Sequence, residues 1–445
     1  MNKTRIENAW ICSVNGSNVK PFFGDIIVEN GVITATVKKS FKNYLKFEHK
    51  AHKNAYDAKG RVVTVPLVNF HDHFYSRLAK GLNIKGSTED FHSILKNLWW
   101  KLDRALTDQM ISASAKMSVA EAIKSGVTYI FDHHASPSYI KNSLDIIASE
   151  ITGADIRGVL CFEVSDRNGS KLSQESMNEN RRFAEKIDNN DLNAMVGLHA
   201  SFTVSDDTLD EAHDLCNEYG LGIHIHLCED ALDRAISKEV SGSFPVDRLI
   251  HANLLNEKSI LAHGIYLTAK DLDKIDEGGA AVAFNVDSNM NNSVGTPDFF
   301  AYNEAIPMLM GTDGMHGNAG KSLKNTFLLM RASGMDFDTS FHLIRKIYFD
   351  QIFFVRRYFP DYPSLKKGDR ADFVIWDYVP PTPVTSSNFF GHYLYGILER
   401  QPDSVISKGK FILQNKQLLN INEDENNKFI YEQGEKLFRK FSRMK

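Results

Sequence analysis

Two histidines separated by one residue, His71 and His73, follow the apolar run Val62–Val68 in the stretch Pro66-Leu67-Val68-Asn69-Phe70-His71-Asp72-His73. On a strand, residues i and i+2 point the same way, so both imidazoles leave the strand's end together. Two neutral imidazoles side by side are half of a transition-metal site. Further histidines also close apolar, strand-like runs: His133 with His134, then His199, His226 and His263. An acid, Asp313, follows another such run in Leu309-Met310-Gly311-Thr312-Asp313-Gly314. Three imidazoles and one carboxylate make a mononuclear hydrolytic site with a position open for water. A metal so held lowers the pKa of its water from about 15.7 towards 7. A proton must then reach the leaving group, and Glu229, three residues after His226, is the general acid/base on offer.

These side chains need a scaffold that gathers strand ends. From about residue 62 to 335, apolar strand-like runs alternate with helical patterns. The strands are expected at Thr64–Phe70, Val127–Phe131, Ile156–Phe162, Ala194–Leu198, Leu221–Ile225, Ser259–Ala262, Ala280–Phe284 and Ala305–Leu309. Helices are expected between most of them, for example over Gln109–Lys124, Asp206–Glu218, Ala269–Asp276 and Lys321–Ala332. Repeated β-α units with buried strands imply a parallel sheet, and eight imply an α/β fold closed as a (β/α)8 TIM barrel, whose chemistry sits at the C-terminal strand ends. Thr268 with Asp271 reads as a capping box. The segment Gly86–Leu106, with Trp99-Trp100, is long for a βα loop and suits a lid, although at least one of the two tryptophans suits the core of that helix better.

Short β-type runs at both chain ends flank that core. They suggest one small composite β-sandwich domain built from residues 1–62 and 365–422, around a barrel over 63–364, with a last helix in 423–445. The net charge of −4 is spread along 445 residues, which leaves no electrostatic footprint for nucleic acid or an anionic membrane surface. Four cysteines without a C-x-x-C pair, and an N-terminus without an apolar leader, point to the cytoplasm.

The motifs taken together resemble the amidohydrolase superfamily, in its aminohydrolase and chlorohydrolase branch with guanine and S-adenosylhomocysteine deaminases. They are His71-Asp72-His73, Gly197-Leu198-His199-Ala200, His224-Ile225-His226-Leu227-Cys228-Glu229, Leu261-Ala262-His263, Ser288-Asn289 and Gly311-Thr312-Asp313. Asn97–Leu106, Asp132–Pro137 and Ser288–Asn292 resemble the SsnA-like aminohydrolases more closely. The resemblance implies a distorted TIM barrel, a nitrogen heterocycle as substrate, and a homodimer. It implies one divalent metal, zinc or iron with manganese as a further option, on His71, His73, His226 and Asp313. Glu229 would shuttle the proton, His263 would polarise substrate or orient water, and Asp313 would also accept a proton. His199 and Asn289 would touch substrate, with His133 and His134 as further candidates. The implied reaction is hydrolytic deamination with release of ammonia. The alternatives are hydrolysis of a cyclic amide, another C–N bond or a C–Cl bond, and a barrel that has lost catalysis and serves in binding or assembly. Two departures from the pattern are Pro66-Leu67 without the usual intervening glycine, and Phe284-Asn285-Val286-Asp287-Ser288-Asn289, which lacks a histidine and a proline.

Overall fold

The structure, a computed structural model, describes residues 3–46, 51–52, 55–302 and 305–444, so the outermost residues of the expected end units, 1–2 and 445, lie outside it. Eight parallel strands follow one another in chain order around a barrel. They are Leu67–Asp72, Val127–His134, Arg157–Val164, Val196–Ala200, Ile223–Leu227, Ile260–His263, Ala281–Phe284 and Met308–Met310. Almost every residue on them is buried, which is why they read as continuous apolar runs and not as alternating ones. The Thr268–Asp271 capping box is present and starts the helix Ala269–Gly278.

The barrel closes where its first and last strands meet. The backbone N–H groups of Thr312 and Asp313 both donate to the His71 carbonyl at 2.9 Å, and Asp72 and Asp313 form a parallel bridge. Gly311 makes this approach possible. A Cβ there would stand 2.2 Å from Asn285 Oδ1 and 2.7 Å from the His71 Cβ.

The expected first strand is divided. Val62–Thr64 belongs to the second sheet, where it runs parallel to Lys3–Val14 and antiparallel to Phe373–Trp376. Pro66 has no N–H to give a ladder, so the chain changes sheets there and enters the barrel at Leu67. The second sheet takes strands from both chain ends, and Val62–Thr64 joins the two sets. The helix Phe337–Val355, which follows the barrel and buries Ile344, Ile347 and Phe354, was not anticipated. The final helix, Glu423–Phe441, packs along Asp108–Lys124 and buries Leu437 and Phe441.

The segment over the barrel mouth is one helical stretch, Phe91–Ala105, interrupted by a π turn at Leu95–Trp99. Such turns are common at functional sites. Trp99 and Trp100 are half-buried and line the cavity beneath.

Candidate metal centre

Three imidazoles converge at the C-terminal ends of strands one and five. The His73 and His226 Nε2 atoms are 3.0 Å apart, and the ring nitrogens of His71, His73 and His226 all lie within 4.8 Å of one another. Asp313 Oδ1 completes the group at 3.0 Å from His73 Nε2 and 3.8 Å from His71 Nε2. Ligand atoms about 2.0–2.1 Å from a tetrahedral ion would be roughly 3.3 Å apart, so this packing matches a coordination sphere.

The hydrogen bonds behind the rings fix which nitrogen faces the site. His73 Nδ1–H donates to the His133 carbonyl at 2.6 Å, and His226 Nδ1–H donates to the His199 carbonyl at 2.7 Å. Each Nε2 is therefore left as a lone pair pointing inward. His71 Nδ1 meets His224 Nε2 at 2.8 Å, while the buried His71 Nε2 has no partner among the described residues. Bare lone pairs converging at such distances need a positive charge between them. Burial pulls the His73 imidazolium down, but the hydrogen bond and charge of Asp313 outweigh this and carry it up to about 9, so that without an ion a proton on His73 Nε2 supplies the positive charge. Burial opposes ionisation of Asp313, yet His73 and His263 hold it well below the usual carboxylate range. Burial and neighbouring imidazoles keep His71 and His226 neutral. The donor set suits a divalent metal ion.

Glu229 and His263 face each other beside this group, with Glu229 Oε2 3.6 Å from His263 Nε2. Burial, and then the charge of Asp313, raise the Glu229 carboxyl well above its ordinary value, which favours its protonated form. Burial lowers His263. Three residues here adopt left-handed backbone, Cys228 (φ 52°), His263 (φ 76°) and Asp313 (φ 51°). Non-glycine residues there carry strain, which collects at functional sites.

The altered loop after strand seven supports the centre. It forms a short helix, Val286–Asn291. Ser288 Oγ donates to Asp313 Oδ2 at 2.5 Å, and Asn289 Oδ1 meets His263 Nδ1 at 2.8 Å. Asn289 is thus a support for His263: it is fully buried and does not line the cavity, contrary to its expected contact with substrate. His133 and His134 are likewise withdrawn. His133 Nε2–H lies between the Leu198 and His224 carbonyls at 3.1 Å each, and His134 Nε2 pairs with Ser136 Oγ at 2.8 Å. Both rings are fully buried within the wall. His199 does line the cavity, oriented by Thr203 Oγ1 at 2.8 Å from its Nδ1.

A cavity opens beside the centre, lined among others by His73, Trp99, Trp100, His199, His226 and Glu229. Sequence reasoning placed His224 in a motif but gave it no role, although His224 and His226 repeat the spacing of His71 and His73 and so had to share a face. It also missed Asp103, Glu163 and Arg167 in the opposite wall. Glu163 had a signal, because it ends strand three, where no histidine stands.

The description "Amidohydrolase family" is that of the family model matching residues 62–412. A 5'-deoxyadenosine deaminase of Methanosphaera stadtmanae is 26% identical over 382 residues, 83% of this chain and 86% of the relative. A 5-methylthioadenosine/S-adenosylhomocysteine deaminase of Thermococcus onnurineus is 26% identical over 426 residues, 93% and 94% of the two chains. Among solved structures, an adenosine deaminase from Xanthomonas campestris with bound zinc superimposes with a TM-score of 0.81 at 18% identity over 98% of both chains. An atrazine chlorohydrolase from Arthrobacter aurescens TC1, complexed with zinc, gives a TM-score of 0.78 at 17% identity over 98% of this chain and 100% of that one. With its closed barrel, its converging imidazoles and a family match across most of its length, the chain belongs to the amidohydrolase family.

Proposed function

We propose that the protein is a hydrolytic deaminase that removes an exocyclic amino group from a purine-type heterocycle or its nucleoside, releasing ammonia. One divalent ion, zinc or iron, would be held by His71, His73, His226 and Asp313. The observation that carries this reading is the convergence of the His73 and His226 Nε2 atoms on the Asp313 carboxylate, beside Glu229, a buried carboxyl raised well above its ordinary value. The ion's contribution when bound is to acidify a water, bringing its pKa from about 15.7 towards 7.

The chain's own residues do the rest. His263 donates its Nδ1–H to Asn289, which leaves Nε2 bare to take a proton from the attacking water. Asp313, ionised and steadied by Ser288, is a second acceptor for that proton. Glu229 arrives protonated and delivers its proton to the heterocycle or the departing amine. His199, on the cavity wall beside His226, binds the substrate. The overall change exchanges an amino group for the oxygen of water, and the amine leaves as ammonia. The deaminase names of relatives alignable over most of this chain support the reading, as does the retention of both supports, Ser288 and Asn289, in the altered loop. Four free, buried cysteines suit a reducing compartment.

The test pairs elemental analysis with an ammonia assay. Wild type should carry about one equivalent of zinc or iron and His226→Ala little. Wild type should also release ammonia from a member of a panel of adenosine, 5'-deoxyadenosine, 5'-methylthioadenosine, S-adenosylhomocysteine and guanine. No ion after reconstitution, or no ammonia from any member, would overturn the reading.

A further inference from the structure

We propose that the ion cluster Asp103–Arg167–Glu163 sets the charge of substrate that the cavity accepts, admitting neutral or cationic heterocycles and turning away those with an anionic tail; only the identity of the heterocycle rests on the deaminase reading above. Among the described residues that line the cavity, Arg167 is the one permanently charged cation. Both ends of its guanidinium fork stand beside a carboxylate. Its Nη2 pairs with Asp103 Oδ2 at 2.6 Å and its Nη1 with Glu163 Oε1 at 2.9 Å. Its plane lies over Trp100, 5.4 Å from the ring centroid. A guanidinium binds a carboxylate or phosphate through that same fork, so an anionic ligand at Arg167 must compete with two acids already beside it, even though Nη1 lies close to Glu163 without a hydrogen bond to it.

The remaining charge on the wall points the same way. Asp103, Glu163, Glu229, Asp230, Asp233 and Asp313 all border the cavity. Even with Glu229 and Asp233 protonated and a divalent ion at the histidines, negative charges outnumber positive ones. In a cleft with low-dielectric walls such an excess repels anions and concentrates cations. Four polar atoms of lining residues also lack hydrogen-bond partners among the described residues, the acceptors Asp103 Oδ1 and Asp233 Oδ1 and the donors Trp100 Nε1 and Arg167 Nη1. Asp103 is 2% exposed, and a buried, unpartnered carboxylate oxygen calls for a ligand N–H, O–H or ammonium. The substrate class is therefore a heterocycle with a donor-bearing, uncharged or positive appendage.

The experiment uses the metal-loaded protein and its own tryptophans. Trp10 and Trp376 are buried, at 7% and 2% exposure, so collisional quenching by ions reports Trp99 and Trp100 at the cavity. Caesium should quench wild type severalfold more strongly than iodide. Asp103→Asn, which frees one end of Arg167, should bring iodide level with or above caesium, with Glu163→Gln giving the same direction should Asp103→Asn fail to fold. In turnover, Asp103→Asn should raise kcat/KM for adenosine 5'-carboxylate relative to neutral 5'-deoxyadenosine by about tenfold, the effect of one unit charge at roughly 10 Å in an effective dielectric of about 20. Iodide quenching wild type as well as caesium does, with neither variant changing the ratio, would overturn the proposal. Absence of turnover on every adenosine derivative would count against the deaminase reading alone, because the quenching ratio is measured without catalysis.

Discussion

Replacing Asn289 with leucine, close to it in shape, isolates one hydrogen bond. Asn289 Oδ1 accepts from His263 Nδ1–H at 2.8 Å, and both residues are fully buried. In Asn289→Leu the Nδ1–H has no acceptor, and stranding a buried donor costs about 1–3 kcal/mol. The ring can avoid that cost by moving its proton to Nε2, where Glu229 Oε2 stands 3.6 Å away. The bare nitrogen that takes the water's proton is then lost. Each 1.4 kcal/mol of tautomer preference is worth about tenfold in population, so kcat/KM should fall by about 10–100-fold, the range found when an orienting partner is removed. Metal content should stay at the wild-type level, since His263 lies outside the proposed ligand set. Asn289→Asp supplies a control with opposite chemistry. A carboxylate at that position favours protonated His263, so the acid limb of the activity profile should move to higher pH. Wild-type kcat/KM in Asn289→Leu, with metal content and folding intact, would refute the assignment of Asn289 as the residue that positions His263.

Three further outcomes are expected. Glu229→Gln should keep its metal and lose turnover by about 10²–10⁴-fold, the contribution of a placed general acid, as measured by ammonia release beside elemental analysis. His224→Ala removes the partner of His71 Nδ1 and should weaken metal affinity by about 10–100-fold, read by competition with a chromophoric chelator. Asp233, which accepts the Cys228 N–H at 2.6 Å, is raised by burial to about 7. A carboxyl whose folded value is raised contributes stability that is complete below its unfolded value near 4 and is lost as pH rises through 7. Asp233→Asn keeps an acceptor for Cys228 but cannot ionise, so wild type should lose on the order of 2–4 kcal/mol relative to it between pH 4 and 8; parallel denaturation curves at both pH values would reject this account.

The eight strands were legible because a buried parallel strand has few ways to appear in sequence other than as a short apolar run closed by polar residues. The site was partly legible for a related reason: the i, i+2 spacing of His71 and His73 fixes a shared direction whatever the rest of the fold does. What the sequence left open was which way each strand-end side chain turns. His133 and His199 both end barrel strands, yet His133 is captured by the Leu198 and His224 carbonyls while His199 reaches the cavity. That difference depends on neighbouring strands and not on local pattern. Asn289 carried a polar side chain suited to substrate, and only the packed loop shows it committed to His263. The Asp103–Arg167–Glu163 cluster joins a mouth helix to the end of strand three, a pairing that no local periodicity encodes.

Gly311 and the carbonyl of His71 form the seam at which the barrel closes, and the proposed ligands stand on both of its lips. Asn69 and Thr312, which are hydrogen-bonded across that seam, are 243 residues apart in the chain. No fragment that ends before the eighth strand can present the full set of donors. An ion bound at this point acts as a rivet, resisting the first step by which such a cylinder would open. Occupancy also certifies that the cylinder has been completed, so the hazardous chemistry of an activated water is withheld from a nascent or half-folded chain and granted only to the finished one.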